Sequence, residues 1–555
     1  MNGDAERFDV VIVGARCAGS PLATMLARRG LRVCLLDRSR FPSDSLSTHV
    51  IQPHGVQVLE RLGVLHAALA AGAVPVTRFT LIDEDVRIDA EIDPEAFGAP
   101  GLCLRRLKLD HLLVEAATSA GAEVRTATSV TGLVWDEGRV AGVETPSGAL
   151  RASLVVGADG RSSTVAKLVG ASEYRVEPPG RLFSWAYFEG VAEDEGRLRL
   201  AHLGEVAYLS CPTDSTLFMA GVCPPMGARD AYLADREGGF TDGIEGWPEL
   251  AELLAGAKRV GPIRVLADWH GYFREAAGPG WVLLGDAGHF KDPTPAQGIS
   301  DALRQAERLA DSITNGLGGG AALAGELRNW WRWRDDDAHE MYGFATDIGT
   351  GASPLLSGEL LGEIATESGG PEQLVRVLNR DLLPSQLFTS SRVARAIGRI
   401  VRDRPQRFPA LAREGASELR SQIRRSRHRH RLPAPSPNQA LGTAFAMQPL
   451  LLALTVVGFV LPYALFGLFV AENGFDPSGY FSLWTSDLPS TQLLLDLAVA
   501  ALALFAWAAV EGQRARVRLW WLCIPATLLV GLCFSFPLFL LMREHALKQA
   551  TIPQT

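Results

Sequence analysis

Residues 8–37, FDVVIVGARCAGSPLATMLARRGLRVCLLD, constrain the fold more than any other stretch. Val10, Val11, Ile12 and Val13 form an unbroken β-branched run, as a strand buried on both faces of a parallel sheet requires. Gly14 opens a tight turn, and Gly19 lets the following helix pack close to the strand. Leu22, Met25 and Leu26 give that helix one apolar face, and a second apolar run ends at Asp37. Strand, turn, helix and strand in this order predict a βαβ unit whose helix N-terminus faces a phosphate. Asp37, followed by Arg38, falls where a carboxylate would accept ribose hydroxyls. The reading is a dinucleotide site, although Arg16 stands where the pattern has its central glycine; a plain βαβ unit is the alternative.

Two later segments narrow the reading. LVVGADGRSS (154–163) is a strand running into Asp159 and Gly160. GWVLLGDAGHFKDPTPAQGISDALRQAERLADSI (280–313) is a strand, then Gly285 and Asp286, a proline-containing loop and a helix. In this order, these segments resemble the flavoprotein monooxygenases of the para-hydroxybenzoate hydroxylase type over about residues 8–340. The GARCAG turn and DSLSTH (44–49) look like a bacterial subgroup of these FAD-dependent oxidoreductases.

The resemblance implies an α/β fold: a Rossmann-like FAD-binding domain with an inserted β-sheet substrate domain at about 175–275. It implies that Asp159 lies near the cofactor pyrophosphate and that Asp286, after Gly285, binds the ribityl hydroxyls. The loop from Pro293 to Gly298 would approach the isoalloxazine, and the helix after Gly298 would point its positive end at the flavin's pyrimidine carbonyl. Arg105, in LRRLKLDHLL, matches an arginine beside the cofactor; its alternative is a solvated charge at a helix start. The family usually has an arginine where this chain carries Ala166, next to Lys167.

Flavin carries the difficult redox step while protein orients the substrate and excludes water. The expected reaction is therefore an NAD(P)H-driven monooxygenation of an apolar small molecule, with O2 as co-substrate. Alkene epoxidation needs no protein base, whereas phenol hydroxylation benefits from one. No clear base stands out: Asp268, His270 and His49 are candidates, with sheet-edge polar residues as the plainer reading of the first two. A halogenase would resemble a WxWxIP signature, and WWRWRDDD (330–337) lacks the Ile-Pro. Prenyl reductases of the geranylgeranyl reductase type share the GD segment and remain the rival; a flavin-binding sensor is a third class.

The C-terminal region is of another kind. Hydrophobic residues make up 47% of the 555 and charged residues only 21%, fewer than soluble chains usually carry. Three apolar runs explain this, at 447–471, 491–510 and 519–542, each long enough to cross a bilayer as a helix. Arginines at 420–431 precede the first run and Arg514, Arg516 and Arg518 separate the second and third. Glu472, Asp476 and Asp487 lie between the first two. Positive charge stays on the cytoplasmic side, which predicts a multi-pass protein of the cytoplasmic membrane with its FAD domain inside and its arginines against lipid headgroups. This region resembles a family of small bacterial three-helix membrane proteins of unassigned function. Within the second run Asp496 is a candidate proton donor, one that would make the region a terpenoid cyclase acting on an epoxide; an interfacial, water-reaching position is the alternative.

The expected division is an FAD domain over 1–340, a helical connector over 341–432, a proline-rich linker over 433–444 and three transmembrane helices over 445–545. Seven cysteines without a CxxC predict a reducing compartment. A net charge of −8 argues against a nucleic-acid partner.

Overall fold

In a computed structural model of the protein, residues 6–414 are described apart from positions 46, 48, 193–195, 318, 319, 352, 353, 408 and 412, together with parts of 497–551. The elements that shape the site run β1 (Arg7–Val13), α1 (Gly19–Arg28), β2 (Val33–Leu36), β3 (Arg78–Asp83), β4 (Val86–Glu91), α2 (Arg106–Ser119), β5 (Gly148–Gly157) and α3 (Thr164–Leu168). They continue with β6 (Phe183–Glu189), β7 (Arg197–Leu203), β8 (Val206–Thr213), β9 (Leu217–Cys223), β10 (Lys258–Leu266), β11 (Trp281–Leu283) and α4 (Gly298–Gly316). Five helices follow: α5 (Gly320–Thr350), α6 (Pro354–Thr366), α7 (Gly370–Leu378), α8 (Pro384–Leu387) and α9 (Ser390–Asp403).

β1 is central in its sheet because it is apolar on both faces, with Val10, Val11 and Ile12 fully buried. It pairs in parallel with β2 on one side and β5 on the other, and β5 pairs in parallel with β11. The strands come from three distant parts of the chain, and their C-terminal ends converge on one crevice, where ligands bind in open α/β sheets. Leu22 and Leu26 of α1, Leu303 and Leu309 of α4 and Trp330 of α5 bury against one face of this sheet.

A second sheet has seven strands in the order β10-β6-β9-β8-β7-β3-β4. The substrate sheet expected over 175–275 is thus larger, because β3 and β4 join it through a parallel pairing of β3 with β7. One of its faces, through Phe79, Trp185, Leu200 and Leu209, buries against Met341, Ile364 and Leu374. The stretch expected as a connector therefore supplies part of a core. Residues 1–432 form one compact unit and 433–555 a second.

In the second unit, helices are described at Cys523–Leu529 and Leu532–Thr551. Trp507 meets Phe539 edge-on at 5.0 Å, and Arg543 Nε donates to Glu511 Oε1 at 2.8 Å. The predicted span 447–471 and Asp496 lie outside the described residues, as does much of 491–510. The third span does not appear as one apolar helix: its apolar run is shared between two helices, the second holding Pro537 inside and Arg543, Glu544 and Lys548 toward its end. Among the described residues, no helix is long and apolar enough to cross a membrane.

Candidate cofactor and substrate site

The dinucleotide turn is built by close approach. Gly14 has φ +106°, and a Cβ there would lie 2.3 Å from the Ala158 carbonyl oxygen. A Cβ on Gly19 would fall 1.9 Å from the Gly14 carbonyl oxygen, so only glycine brings α1 this near the strand. No side chain caps the first turn of α1, which leaves its N-terminus available to an anion.

Asp37 is at the end of β2, as expected, but its carboxylate also braces the turn. Oδ2 accepts from Ala15 N–H at 2.8 Å and Oδ1 from Ser39 N–H at 2.7 Å. Each oxygen keeps a second lone pair for a hydroxyl. Arg38 is exposed beside it. Asp159 adjoins the same turn, its backbone N 2.8 Å from where a Gly14 Cβ would lie, and its carboxylate accepts from Ser163 Oγ at 2.5 Å and Thr164 N–H at 2.6 Å, capping α3.

Asp286 is different. Its carboxylate has no hydrogen-bond partner among the described residues, and burial pushes its pKa up, opposed by Arg161 and Arg106. Gly285 before it has φ +61°. Beyond Pro293 the loop reaches Ala296 at φ +52°, and Gly298 starts α4 facing open space, with nothing within 4 Å of an added Cβ. An unpartnered carboxylate, a glycine cradle and two helix N-termini on one crevice fit a flavin dinucleotide.

Arg16, the residue in place of the central glycine, folds away from the turn. Its guanidinium donates to Asp110 Oδ2 at 2.7 Å and to Ser43 Oγ at 2.9 Å. The fully buried Asp110 also accepts from Arg106 at 2.7 Å and from the Cys17 thiol at 3.3 Å. Sequence reading singled out Arg105, and the structure turns it elsewhere: it is bound to the buried Asp214 at 2.8 Å, together with Lys108 at 3.0 Å. Arg106 is the arginine brought to the dinucleotide turn. The signal for it was present, because Arg106 and Asp110 stand four apart at a helix start.

The candidate bases fare differently. His49, at φ +65°, is buried, and its Nε2 meets the Tyr187 hydroxyl while Nδ1 accepts from Arg106 N–H at 3.3 Å. Burial, aided by Arg106, lowers its pKa to about 3, so it stays neutral. Asp268 is exposed and paired with Arg229, and His270 pairs with Glu173 at 2.9 Å; both lie in the segment that follows β10, outside any strand.

A cavity of about 790 Å3 lies within the first unit, between the seven-stranded sheet and the helices α5 to α9. Phe79, Leu81 and Leu200 form its floor and Phe344, Leu360 and Phe388 its facing wall. Thr294 and Pro295 of the loop before α4 form one end.

Parallel sheet, glycine cradle and unpartnered aspartate together define a flavin-dependent oxidoreductase. The chain belongs to the family described as the FAD binding domain, whose model matches residues 7–325. It is similar to a 6-methylpretetramide 4-monooxygenase of Streptomyces rimosus, 34% identical over 57% of this chain and 77% of that protein. It is also similar to a menaquinone reductase of Mycolicibacterium smegmatis, 26% identical over 56% of this chain and 77% of that protein. Among solved structures, a flavin-dependent brominase superposes with TM-score 0.59 at 21% identity, covering 72% of this chain and 100% of that one. A probable FAD-dependent monooxygenase from Pseudomonas aeruginosa superposes with TM-score 0.53 at 19% identity, over 71% and 100%. These two likenesses concern the fold. Residues 450–545 match a family described as a protein of unknown function, DUF2834. The chain is thus an FAD-dependent enzyme of the monooxygenase family.

Proposed function

We propose that the protein is an NAD(P)H-driven monooxygenase that places one atom of O2 on an apolar small molecule, such as a prenylated or polyketide-derived compound. The carrying observation is the cavity: about 790 Å3 of largely apolar space that ends on Thr294 and Pro295, beside the crevice where FAD is held. FAD, when bound, supplies the reductive activation of O2. The chain's own residues do the rest. Asp37, Asp286, the Gly14 turn and the N-termini of α1 and α4 would hold the cofactor; the apolar walls orient the substrate and keep water out.

The similarity to a menaquinone reductase, and to a digeranylgeranylglycerophospholipid reductase of Methanococcoides burtonii at 28% identity, favours a second reading, reduction of a prenyl lipid. Oxygen separates the two. With candidate prenylated or polyketide substrates and 18O2, the monooxygenase reading expects substrate-stimulated NAD(P)H oxidation matched by O2 uptake and label in the product. Turnover under argon with a hydrogenated product would overturn it. The apolar runs after residue 446 support a further element of the proposal, attachment to the cytoplasmic face of the membrane, which would concentrate an apolar substrate at the cavity.

A further inference from the structure

We propose that the outer face of α9 docks on an anionic lipid bilayer, setting one wall of the cavity against the membrane in which an apolar substrate dissolves. This rests on the membrane attachment proposed above. α9 has the sequence SSRVARAIGRIVRD, and its apolar side is broader than the protein covers. At about 100° per residue, Val393, Ala394, Ala396, Ile397, Gly398, Ile400 and Val401 share an arc of about 200° in which no charged residue falls. Ala396 and Ile400 are buried, and Val393 lines the cavity. The rest of the arc is bare. Ala394, Ile397, Gly398 and Val401, spaced as one helical stripe, are exposed, Ile397 by 38% and Val401 by 40%. Apolar residues exposed singly are ordinary, whereas a contiguous stripe marks a contact surface.

The charges beside the stripe identify what covers it. Arg395 and Arg402 run along one edge, and Arg404 and Arg407 follow at the helix end, all exposed. Arg395 pairs with Glu363 and Arg404 with Glu359, both carboxylates belonging to α6. Those carboxylates are 20% exposed or less, while the two arginine side chains are 51% exposed or more. The layer nearest solvent is therefore guanidinium. Asp403, the exposed acid of the helix, pairs with Arg402 and falls across the helix from the stripe. A paired guanidinium keeps further N–H donors, whose planar fork matches phosphate. The chain continues in the same sense: residues 415–432 carry six arginines and one glutamate.

The stripe holds none of the aromatic anchors that centre protein–protein interfaces. Short aliphatic groups edged by arginine fit the boundary of headgroups and acyl chains, where a surface helix lies about 5–10 Å deep. So short a stripe binds weakly by itself; a tether through the apolar runs after residue 446 raises its effective concentration at the bilayer. Ala394 follows Val393 directly, and Leu360 of α6, which packs on α9, lines the same cavity. One helix is thus both cavity wall and lipid face, so a compound dissolved in the bilayer reaches that wall without crossing water.

The test uses the full-length holoenzyme reconstituted in phosphatidylcholine vesicles with and without phosphatidylglycerol. Ile397→Cys, Val401→Cys and, as a control at another exposed position of the first unit, Trp135→Cys are labelled with an environment-sensitive fluorophore. The six described native cysteines are buried, and each signal is read above that of the unsubstituted chain. Doxyl-labelled phosphatidylcholine should quench the probes at 397 and 401 about two-fold or more and leave the probe at 135 unchanged, with less quenching when phosphatidylglycerol is omitted. Equal quenching at all three positions, or none at 397 and 401 in a chain that floats with the vesicles, would overturn the proposal. A blue shift without lipid quenching would overturn it too, showing that a second copy or residues 433–555 cover the stripe. A chain that does not float with vesicles would remove the attachment reading along with the docking face. The monooxygenase reading is tested apart from both, by O2 uptake.

Discussion

Asp292, just before the flavin loop, is buried with its Oδ1 accepting from Thr294 N–H at 2.9 Å and Thr294 Oγ1 at 2.5 Å. Burial pushes its pKa up to about 6, against these hydrogen bonds. The folded state therefore prefers the proton. Stability from this preference is present below the ordinary carboxylate range and is lost as pH rises through about 6. Asp292→Asn keeps the acceptor and removes the titration. The variant should match wild type near pH 4 and exceed it by up to about 3 kcal/mol at pH 7–8, read as a gap in Tm that opens with pH. At Asp286 the expectation concerns the cofactor. Losing a hydrogen bond to a charged group costs about 1.5–3 kcal/mol, so Asp286→Ala should raise the FAD Kd by about ten-fold or more. Ser312→Ala, farther along α4, should leave that Kd unchanged; fluorescence titration of apoprotein with FAD compares them. Sequence pattern singles out Asp286 because glycine, strand and helix frame it within a few residues. The same pattern cannot separate Arg105 from Arg106, since adjacent arginines at a helix start point to different sides and only the partners, Asp214 and Asp110, tell them apart.

Among the elements, α5 joins the two parts of the first unit. Its Arg334, 1% exposed, donates to the carbonyls of Gly288 at 2.8 Å and Arg274 at 2.9 Å and pairs with the buried Asp335 at 2.6 Å. Arg334→Met would remove the buried cation paired with Asp335, whose carboxylate keeps the Tyr174 hydroxyl, and would strip a hydrogen bond from each of the two carbonyls. Removing one member of a buried pair costs about 3–5 kcal/mol, so the urea midpoint, followed by flavin release, should fall accordingly. An unchanged midpoint would show that α5 is held by its apolar face alone. In the sequence this helix reads as polar and charged, and its buried arginine is invisible because only tertiary packing makes it so. The helices α6 to α9 were equally obscure as a cavity wall. Leu360, Ile364 and Leu374 give local apolar faces, but what those faces cover is β3, β4 and β7, far back in the chain.

At the scale of the molecule, the candidate cofactor residues and the cavity all fall within residues 1–432, one compact unit. A chain ending at Leu432 should therefore keep its FAD and its yellow colour, while turnover falls mainly for lipophilic substrates presented in vesicles. Equal turnover of every substrate by full-length and shortened protein would remove any catalytic meaning from residues 433–555. The dinucleotide crevice was legible because each part of it is a short motif. The cavity was not, because Asp83 and His202 are 119 residues apart and meet only through sheet register.

The two sides of that cavity have different parentage within the chain. The floor belongs to the sheet whose register sets His202 beside Asp83, whereas Leu356, Leu360, Phe388 and Val393 of the facing wall come from a later stretch that supplies none of the turn or aspartate residues at the cofactor. Selection can therefore reshape the wall, and with it the size and outline of accepted compounds, at little cost to the redox machinery. A lineage of such enzymes would diversify its metabolites through residues 354–366 and 388–393 while its flavin residues stay nearly still.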